Sequence, residues 1–272
     1  EDLSPGPYDL TIRADGNDAP AAALSLLVGE RGLSSLPGER VSGLPDGYLL
    51  PELADFDGDG RPEIAAMAAS ATGYGVTTLY EASGPGNWAA AYLASQTFIP
   101  WTAGDLDGDG LLELMVVDAE RVRLLEAAAA GAFPARVVWE EREVWGGAVG
   151  DLDGDGRSEM HLRSSRGALM RVFENQGNDR HEAVALLANP TAGDNDTGER
   201  FVLADLDGDG DQEVFLGDGD GDLMLYSSVG DDALRWEWSG PGQGGDSRLV
   251  GGGADLDGDG RAEVAVGGFA PD

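Results

Sequence analysis

The chain has 272 residues, no cysteine and a formal net charge of −34 at pH 7, which comes from 51 acidic and 17 basic side chains. Such a charge repels nucleic acid phosphates and anionic membrane surfaces, and the lack of cysteine excludes disulfides and thiolate metal sites. The 43 glycines favour many turns and short strands over a helical bundle.

The first 46 residues contain two apolar segments, at 8–12 and 21–28, which we interpret as strands. Residues 1–5 do not combine positive charge with a following apolar run, and no segment approaches the ~20 apolar residues of a membrane span. We therefore expect no membrane insertion, and a chain from which any export signal has already been removed.

An acidic motif, Asp-x-Asp-Gly-Asp-Gly-x-x-Glu, occurs five times, starting at Asp55, Asp105, Asp151, Asp205 and Asp255. Each copy follows an apolar segment and runs into a short apolar stretch, so it joins two strands, A and B. Two further segments, such as 223–226 and 234–238 in the fourth copy, supply strands C and D. Four strands in about 50 residues is the period of a propeller blade.

We therefore predict an all-β fold, a single β-propeller domain over residues 1–272 built from four-stranded blades. The repeats are predicted near 47–96, 97–142, 143–198, 199–246 and 247–272. Five blades are favoured, with residues 1–46 closing the ring against the last one. In the alternative interpretation residues 1–46 are a degenerate sixth blade, or the chain is part of a larger ring.

Each acidic loop offers the oxygen ligands that Ca²⁺ prefers, from positions 1, 3, 5 and 9 together with the position 7 carbonyl. An EF-hand is excluded, because its twelfth position needs a glutamate and here that position is always apolar. We predict about five Ca²⁺ ions. The predicted ligand residues are Asp55, Asp57, Asp59, Arg61 and Glu63; Asp105, Asp107, Asp109, Leu111 and Glu113; Asp151, Asp153, Asp155, Arg157 and Glu159; Asp205, Asp207, Asp209, Asp211 and Glu213; and Asp255, Asp257, Asp259, Arg261 and Glu263.

With these loops and strands, the chain from about residue 47 to 272 resembles the FG-GAP or VCBS repeats of integrin α chains and bacterial surface proteins. The segment 255–268 carries the resemblance most strongly. The resemblance implies a calcium-binding propeller that acts in adhesion or recognition. Because loops of this kind suit a compartment rich in calcium, we expect a secreted bacterial protein that is extracellular or displayed on a cell surface.

A ligand is expected on the face opposite the calcium loops, where strand A begins. The aromatic residues near that end are Tyr48, Phe98, Trp101, Trp145 and Phe201. Their rings can stack on a sugar or anchor a protein side chain, although packing between blades is the alternative. We expect a protein or glycan partner, no nucleic acid partner, and a protein that is monomeric or part of a larger chain.

Catalysis is not expected, because the chain has two histidines and no cysteine, which leaves the common catalytic constellations without their residues. Two alternatives stay open: a polysaccharide lyase built on a calcium-bearing propeller, and a rigid spacer in a larger surface protein. His161 lies in strand B of the third repeat, where other copies have apolar or small residues. We interpret it as satisfied by polar neighbours or, alternatively, as part of a pocket.

Overall fold

The computed structural model describes residues 6–12, 22–28, 43–45, 47–50, 53–70, 73–84, 87–94, 97–118, 121–164, 169–191, 197–198, 200–208, 211–230, 234–241, 246–255 and 261–269. Within these ranges all regular secondary structure is β-strand, which confirms the all-β prediction. None of these residues belongs to a helix long and apolar enough to cross a membrane.

The strands are short and follow one another closely along the described chain. They are β1 (Gly6–Ile12), β2 (Ala22–Val28), β3 (Gly47–Leu49), β4 (Glu63–Ser70), β5 (Gly73–Gly84), β6 (Asn87–Leu93), β7 (Ile99–Gly104), β8 (Glu113–Val117), β9 (Arg121–Glu126), β10 (Arg136–Arg142), β11 (Val144–Gly150), β12 (Glu159–Ser164), β13 (Leu169–Asn175), β14 (His181–Ala188), β15 (Val202–Ala204), β16 (Glu213–Gly217), β17 (Asp222–Ser228), β18 (Leu234–Pro241), β19 (Asp246–Ala254) and β20 (Glu263–Phe269).

These strands form four antiparallel sheets of four strands each, in which the order within the sheet is the order along the chain. We call β3–β6, β7–β10, β11–β14 and β15–β18 repeats 1 to 4, and the two-stranded sheet β19–β20 repeat 5. The predicted four-stranded units are confirmed. The strands β1 and β2 pair with each other, and β2 lies beside β20.

Burial is highest in the second and third strands of repeats 2 and 3 and lowest in the fourth. The second strands β8 and β16 are buried at all five positions, because each is an apolar run between the acidic loop and a turn. The fourth strands β10 and β14 have no buried residue and alternate between half-buried and exposed positions. Strands B and C are therefore the most buried strands of these repeats, while strand D forms the outer edge.

Neighbouring sheets pack face to face through their inner strands. On β8, Leu114 and Val116 contact the cluster shared with repeat 1, whereas Met115 and Val117 face the cluster shared with Leu162 of repeat 3. Similar clusters join repeat 3 to repeat 4 and repeat 4 to repeat 5. Each inner strand is thus covered on both faces, which is the packing expected of propeller-like blades.

The first strands of repeats 2, 3 and 4 meet at one place. The Trp101 Nε1–H donates a hydrogen bond to the Gly147 carbonyl at 3.1 Å. The guanidinium carbon of Arg200, just before β15, lies 4.4 Å from the centroid of the Trp101 ring. A hydrogen bond and a cation–π contact therefore link three repeats through one tryptophan.

Candidate metal centres

The acidic motifs connect the first and second strands of each sheet. We call residues 55–63, 105–113, 151–159, 205–213 and 255–263 loops 1 to 5. Position 9 of each loop, Glu63 in loop 1, is the first residue of the second strand. The structure describes loops 1 to 3 completely, loop 4 without 209–210, and only 255 and 261–263 of loop 5, so Asp209, Asp257 and Asp259 lie outside the described residues.

Two features of the motif shape the loop. The apolar residue at position 2 is buried and anchors the loop in the interior, as Phe56 does in loop 1 and Leu106 in loop 2. Glycines at positions 4 and 6 have left-handed backbone angles, with φ of +72° at Gly58 and +88° at Gly60. Because side chains disfavour such angles, glycine is required for this tight turn.

The aspartates are held by the amides of their own loop. In loop 1, Asp55 accepts hydrogen bonds from the N–H groups of Asp59 at 3.0 Å and Gly60 at 2.9 Å, and Asp59 accepts one from Arg61 at 2.9 Å. Loops 2 and 3 repeat the bonds from position 6 to position 1 and from position 7 to position 5. The carboxylates are therefore oriented by the backbone before any ligand binds.

The glutamate at position 9 is the buried member of each set. Glu63, Glu113 and Glu159 are at most 3% exposed. In each, Oε2 accepts a hydrogen bond from the position 2 amide, at 2.8, 2.5 and 2.8 Å respectively. Among the described residues Oε1 of all three has no hydrogen-bond partner. A buried carboxylate oxygen of this kind requires a cation or a proton.

The same burial changes the acidity of these groups. Desolvation, together with the nearby loop aspartates, raises the pKa of Glu63 from 4.5 to about 7, and that of Glu113 and Glu159 to about 8. The position 2 amide opposes this change by stabilising the carboxylate. Without a cation these glutamates therefore keep their protons to a higher pH than an exposed glutamate does.

The carboxylate oxygens converge on one point in each fully described loop. One oxygen from each of Asp55, Asp57, Asp59 and Glu63 lies within 4.8 Å of the others, and the equivalent four residues of loop 3 do the same. In loop 2 the set contains Asp105, Asp107 and Glu113. All donors are hard oxygens, which fits Ca²⁺. The contribution of the position 7 carbonyls stays a prediction.

The structure reveals three further glutamates next to the loops that are not part of the motif. Glu81, Glu126 and Glu174 lie in the third strands, directly across from Glu63, Glu113 and Glu159. Glu126 and Glu174 are at most 2% exposed. A usable signal exists in the sequence, because each of these glutamates ends an apolar run of strand C, as in Leu124-Leu125-Glu126.

His161 is buried completely next to loop 3. In the part of the chain that the structure describes, neither of its ring nitrogens has a hydrogen-bond partner. It lines a cavity of about 10 Å³ together with Asp153 and Glu159, which is room for about one water molecule. Burial lowers the pKa of His161 to about 3, so the ring is neutral.

The aromatic residues predicted to contact a ligand occupy different environments. Phe98, Trp101 and Phe201 are 5–6% exposed and belong to the clusters between repeats, as in the packing alternative considered above. Trp145 is half-buried, and the side chain of Tyr48 lies outside the described residues. Ligand binding by these residues stays a prediction.

Comparison with known proteins identifies one family and a group of distantly similar structures. The profile of the FG-GAP-like repeat matches residues 55–116, 105–162, 151–216 and 205–266. A search of curated proteins found no significant match.

The solved structures that resemble the chain include two that are described here by name. The periplasmic gluconolactonase PpgL of Pseudomonas aeruginosa is 18% identical with a TM-score of 0.49, and the match covers 78% of this chain but only 61% of the gluconolactonase. BBS1N, solved in complex with ARL6DN and soaked with mercury, is 12% identical with a TM-score of 0.43, over 84% of this chain and 75% of that one. Neither likeness bears on the activity or partners of this chain.

Proposed function

Because this chain belongs to the FG-GAP-like repeat family, we propose that it is a calcium-stabilised binding module. The observation that carries the proposal is the unpartnered Oε1 of Glu63, Glu113 and Glu159, buried beside aspartates in sets whose carboxylate oxygens lie within 4.8 Å of one another. One Ca²⁺ per loop satisfies these oxygens and neutralises the clustered charge. FG-GAP repeats often bind calcium, which supports this assignment.

Calcium binding at five sites would contribute a free energy comparable to the whole stability of a typical domain. With a dissociation constant near ~0.1 mM and free Ca²⁺ near ~1 mM, linkage gives ~1.4 kcal/mol per site, or ~7 kcal/mol for five independent sites. A typical domain is stable by about 5–15 kcal/mol. In this proposal the metal-free protein is loosened or unfolded.

The proposed architecture is a closed ring of five blades. Repeat 5 has two described strands, and β2 lies beside β20 at its edge. In this proposal β2 and β1 serve as the third and fourth strands of the fifth blade. Joining the first and last segments of the chain in one blade protects an open sheet edge from pairing with other molecules.

The proposed partner is a protein or a glycan, bound on the face away from the loops. Trp145, at the start of β11, is the half-buried aromatic residue on that side, and its indole N–H has no hydrogen-bond partner among the described residues. FG-GAP repeats are typical of extracellular proteins, where millimolar Ca²⁺ is available. We propose a binding role there rather than a catalytic one.

The test of the calcium role is metal content and thermal unfolding before and after chelation. About five Ca²⁺ per chain and a large fall in Tm on chelation are expected. Adding Ca²⁺ back restores the Tm, whereas Mg²⁺ does so only weakly, because Mg²⁺ demands a smaller octahedral site. A protein that contains no Ca²⁺ and melts at the same temperature in chelator contradicts the proposal.

The test of the partner is a glycan array beside a pull-down with candidate surface proteins, using the calcium-loaded protein. Trp145→Ala is expected to reduce binding while leaving calcium content unchanged. Leu186→Ala, an exposed residue on the outer strand β14, is the matched control. Equal binding by both variants places the partner elsewhere.

A further inference from the structure

The second strand of repeat 3 carries a histidine at a place where the other repeats have apolar side chains. His161 follows the position 9 glutamate of loop 3 by two residues, and the residues at the same place in repeats 1, 2 and 4 are Ala65, Met115 and Phe215. All four residues are buried. The imidazole is therefore a property of repeat 3 and is not required by the fold.

Strand alternation places His161 on the same face as the buried glutamate of loop 3. Met160 and Leu162 belong to the apolar cluster shared by repeats 2 and 3, so Glu159 and His161 lie on the opposite face of β12, toward repeat 4. Ala148, which faces His161 from β11, packs against the cluster between repeats 3 and 4. The imidazole and the carboxylate thus share one side of the sheet.

A cavity of about 10 Å³ lies between this face and repeat 4. Its lining includes Asp153, Glu159 and His161 from repeat 3, and Ser228 and Leu234 from repeat 4. A space of this size holds about one water molecule or one metal ion. Carboxylates and imidazoles are metal ligands, so three of the lining side chains are of the types that bind a metal.

Loop 3 has unpartnered buried atoms that loop 1 does not have. In both loops Oε1 of the position 9 glutamate has no hydrogen-bond partner among the described residues. Loop 3 adds Oδ1 of Asp151, and His161 beside it adds both ring nitrogens. In loop 1, by contrast, both oxygens of Asp55 accept hydrogen bonds from loop amides. The additional atoms in repeat 3 point to a ligand with its own coordination chemistry.

Calcium does not account for the nitrogen atoms. Ca²⁺ takes oxygen ligands, so a Ca²⁺ ion in loop 3 satisfies the carboxylates and leaves the imidazole of His161 without a partner. A buried polar group in that state is destabilising. Zn²⁺ and related first-row ions bind imidazole and carboxylate together. An ion of this class satisfies the oxygen and nitrogen donors at the same time.

Loop 1 serves as an internal control, because it is otherwise built like loop 3. Each loop has four acids whose oxygens converge. Each also has an arginine at position 7 that pairs with the aspartate at position 5, at 2.5 Å in loop 1 and 2.6 Å in loop 3. The residue two places after the glutamate is Ala65 in one repeat and His161 in the other. Loop 1 therefore presents the oxygen donors without the imidazole.

We propose that loop 3 is a mixed oxygen and nitrogen site, in which His161 joins Glu159 and the loop aspartates in binding a first-row transition-metal ion such as Zn²⁺. This inference rests on the proposed metal-binding function of the loops. The imidazole raises the affinity for Zn²⁺ without raising the affinity for Ca²⁺, because Ca²⁺ prefers hard oxygen ligands. Loop 1 keeps Ca²⁺, so the chain has two classes of metal site.

The experiment offers one equivalent of Zn²⁺ to the metal-free full chain in about 1 mM Ca²⁺ and measures both metals after gel filtration. The parent is expected to retain one Zn²⁺ and to hold one Ca²⁺ fewer than it holds in Ca²⁺ alone. The X-ray absorption spectrum of the bound Zn²⁺ is expected to show scattering from one imidazole ring. A site made of oxygen ligands alone does not give this signal.

Two substitutions remove the nitrogen ligand. His161→Met introduces the residue that repeat 2 has at this place, and His161→Gln offers an oxygen in place of the nitrogen. Both are expected to weaken Zn²⁺ binding by about tenfold or more and to abolish the imidazole signal. Both should still bind Ca²⁺ at the other loops, which shows that the variants are folded.

His181→Gln is the matched control, because the chain has two histidines. The ring of His181 packs edge-on against Trp139 with centroids 5.5 Å apart, and its nitrogens also have no hydrogen-bond partner within the described part of the chain. This variant is expected to keep the bound Zn²⁺ and the imidazole signal. Since it leaves His161 unchanged, it tests the proposal even if the substitutions of His161 prevent folding.

The outcomes separate this inference from the proposed function. A parent that binds neither Ca²⁺ nor Zn²⁺ overturns both. A parent that binds Ca²⁺ but releases Zn²⁺, or holds Zn²⁺ through oxygen ligands alone, overturns this inference and leaves the calcium function intact. An imidazole signal that disappears in His181→Gln overturns it as well. A signal that persists in His181→Gln supports the inference, as does its loss in His161→Met or His161→Gln.

Discussion

Strand β12 contains two buried residues, three positions apart, whose side chains require different surroundings. Leu162 is fully buried in the apolar cluster shared by repeats 2 and 3. Glu159, at the start of the strand, is 3% exposed and keeps one oxygen without a hydrogen bond. The apolar cluster around Leu162 needs no ligand, whereas the loop edge requires a cation. The two regions should therefore respond differently to the same perturbations.

The largest difference between the two regions is expected in the pH dependence of protein stability without Ca²⁺. In the unfolded chain the glutamates lose their protons near pH 4.5, but in the folded protein Glu63, Glu113 and Glu159 keep them until about pH 7–8. The folded state then binds more protons, so stability falls as pH rises from 5 to 9. We expect a loss of roughly 5 kcal/mol or more, since each pKa unit corresponds to about 1.4 kcal/mol.

Urea unfolding in chelator at several pH values measures this loss. With saturating Ca²⁺ the same series should be nearly flat, because the bound carboxylates carry no proton in the folded state. A metal-free stability that rises between pH 5 and 9 contradicts the placement of these glutamates.

Shortening a side chain in the apolar interior is expected to lower the free energy of unfolding equally with and without Ca²⁺. Leu162→Ala removes a fully buried side chain and is expected to lower the free energy of unfolding by about 2–5 kcal/mol. Leu186→Ala, in the same repeat but 64% exposed, should change it by less than about 0.5 kcal/mol. Denaturant unfolding with and without Ca²⁺ measures both variants. If the loss of stability in Leu162→Ala disappears without Ca²⁺, the apolar interior depends on the metal and the two regions are not independent.

The smallest effect, and the one that changes sign, is expected at the loop edge. With Ca²⁺ bound, Glu159→Gln loses a charged ligand and should be less stable by about 1–2 kcal/mol. In chelator at pH 9 the same variant should be more stable than the parent, because no charge has to be buried. Thermal unfolding under both conditions gives the comparison.

Glu182→Gln is the control for this variant, since Glu182 belongs to an exposed ion pair with Arg180. Such pairs contribute little, so the control should be nearly neutral under both conditions. A Glu159→Gln variant that is destabilised equally in both conditions argues for a packing role only.

The sequence was sufficient to predict the sheets and the loops. The acidic motif indicates where strand B begins, and the apolar residues that follow Glu113 in β8 and Glu213 in β16 indicate strands covered on both faces. The anchoring role of position 2 and the partner of each position 9 glutamate were visible only in the structure. They depend on how the loop folds back on itself rather than on its spacing.

The glutamates of the third strands could not be found by spacing. The turn between strands B and C differs in length from repeat to repeat, so Glu81, Glu126 and Glu174 stand at different distances from their loops along the chain. Only strand register brings them opposite the position 9 residues. Phe98 and Phe201 show the same limit of sequence analysis. Each lies directly before a short first strand, in a position that leaves little of the side chain exposed.

The contacts of Trp101 also affect the order in which the repeats unfold under mechanical force. Its hydrogen bond to Gly147 and its contact with Arg200 connect the first strands of repeats 2 and 3 with the residues just before the first strand of repeat 4. When the chain is pulled from its ends, tension reaches these three repeats only after the outer segments have been drawn away. We therefore expect repeats 2 to 4 to yield together in one step, after repeats 1 and 5 have extended separately.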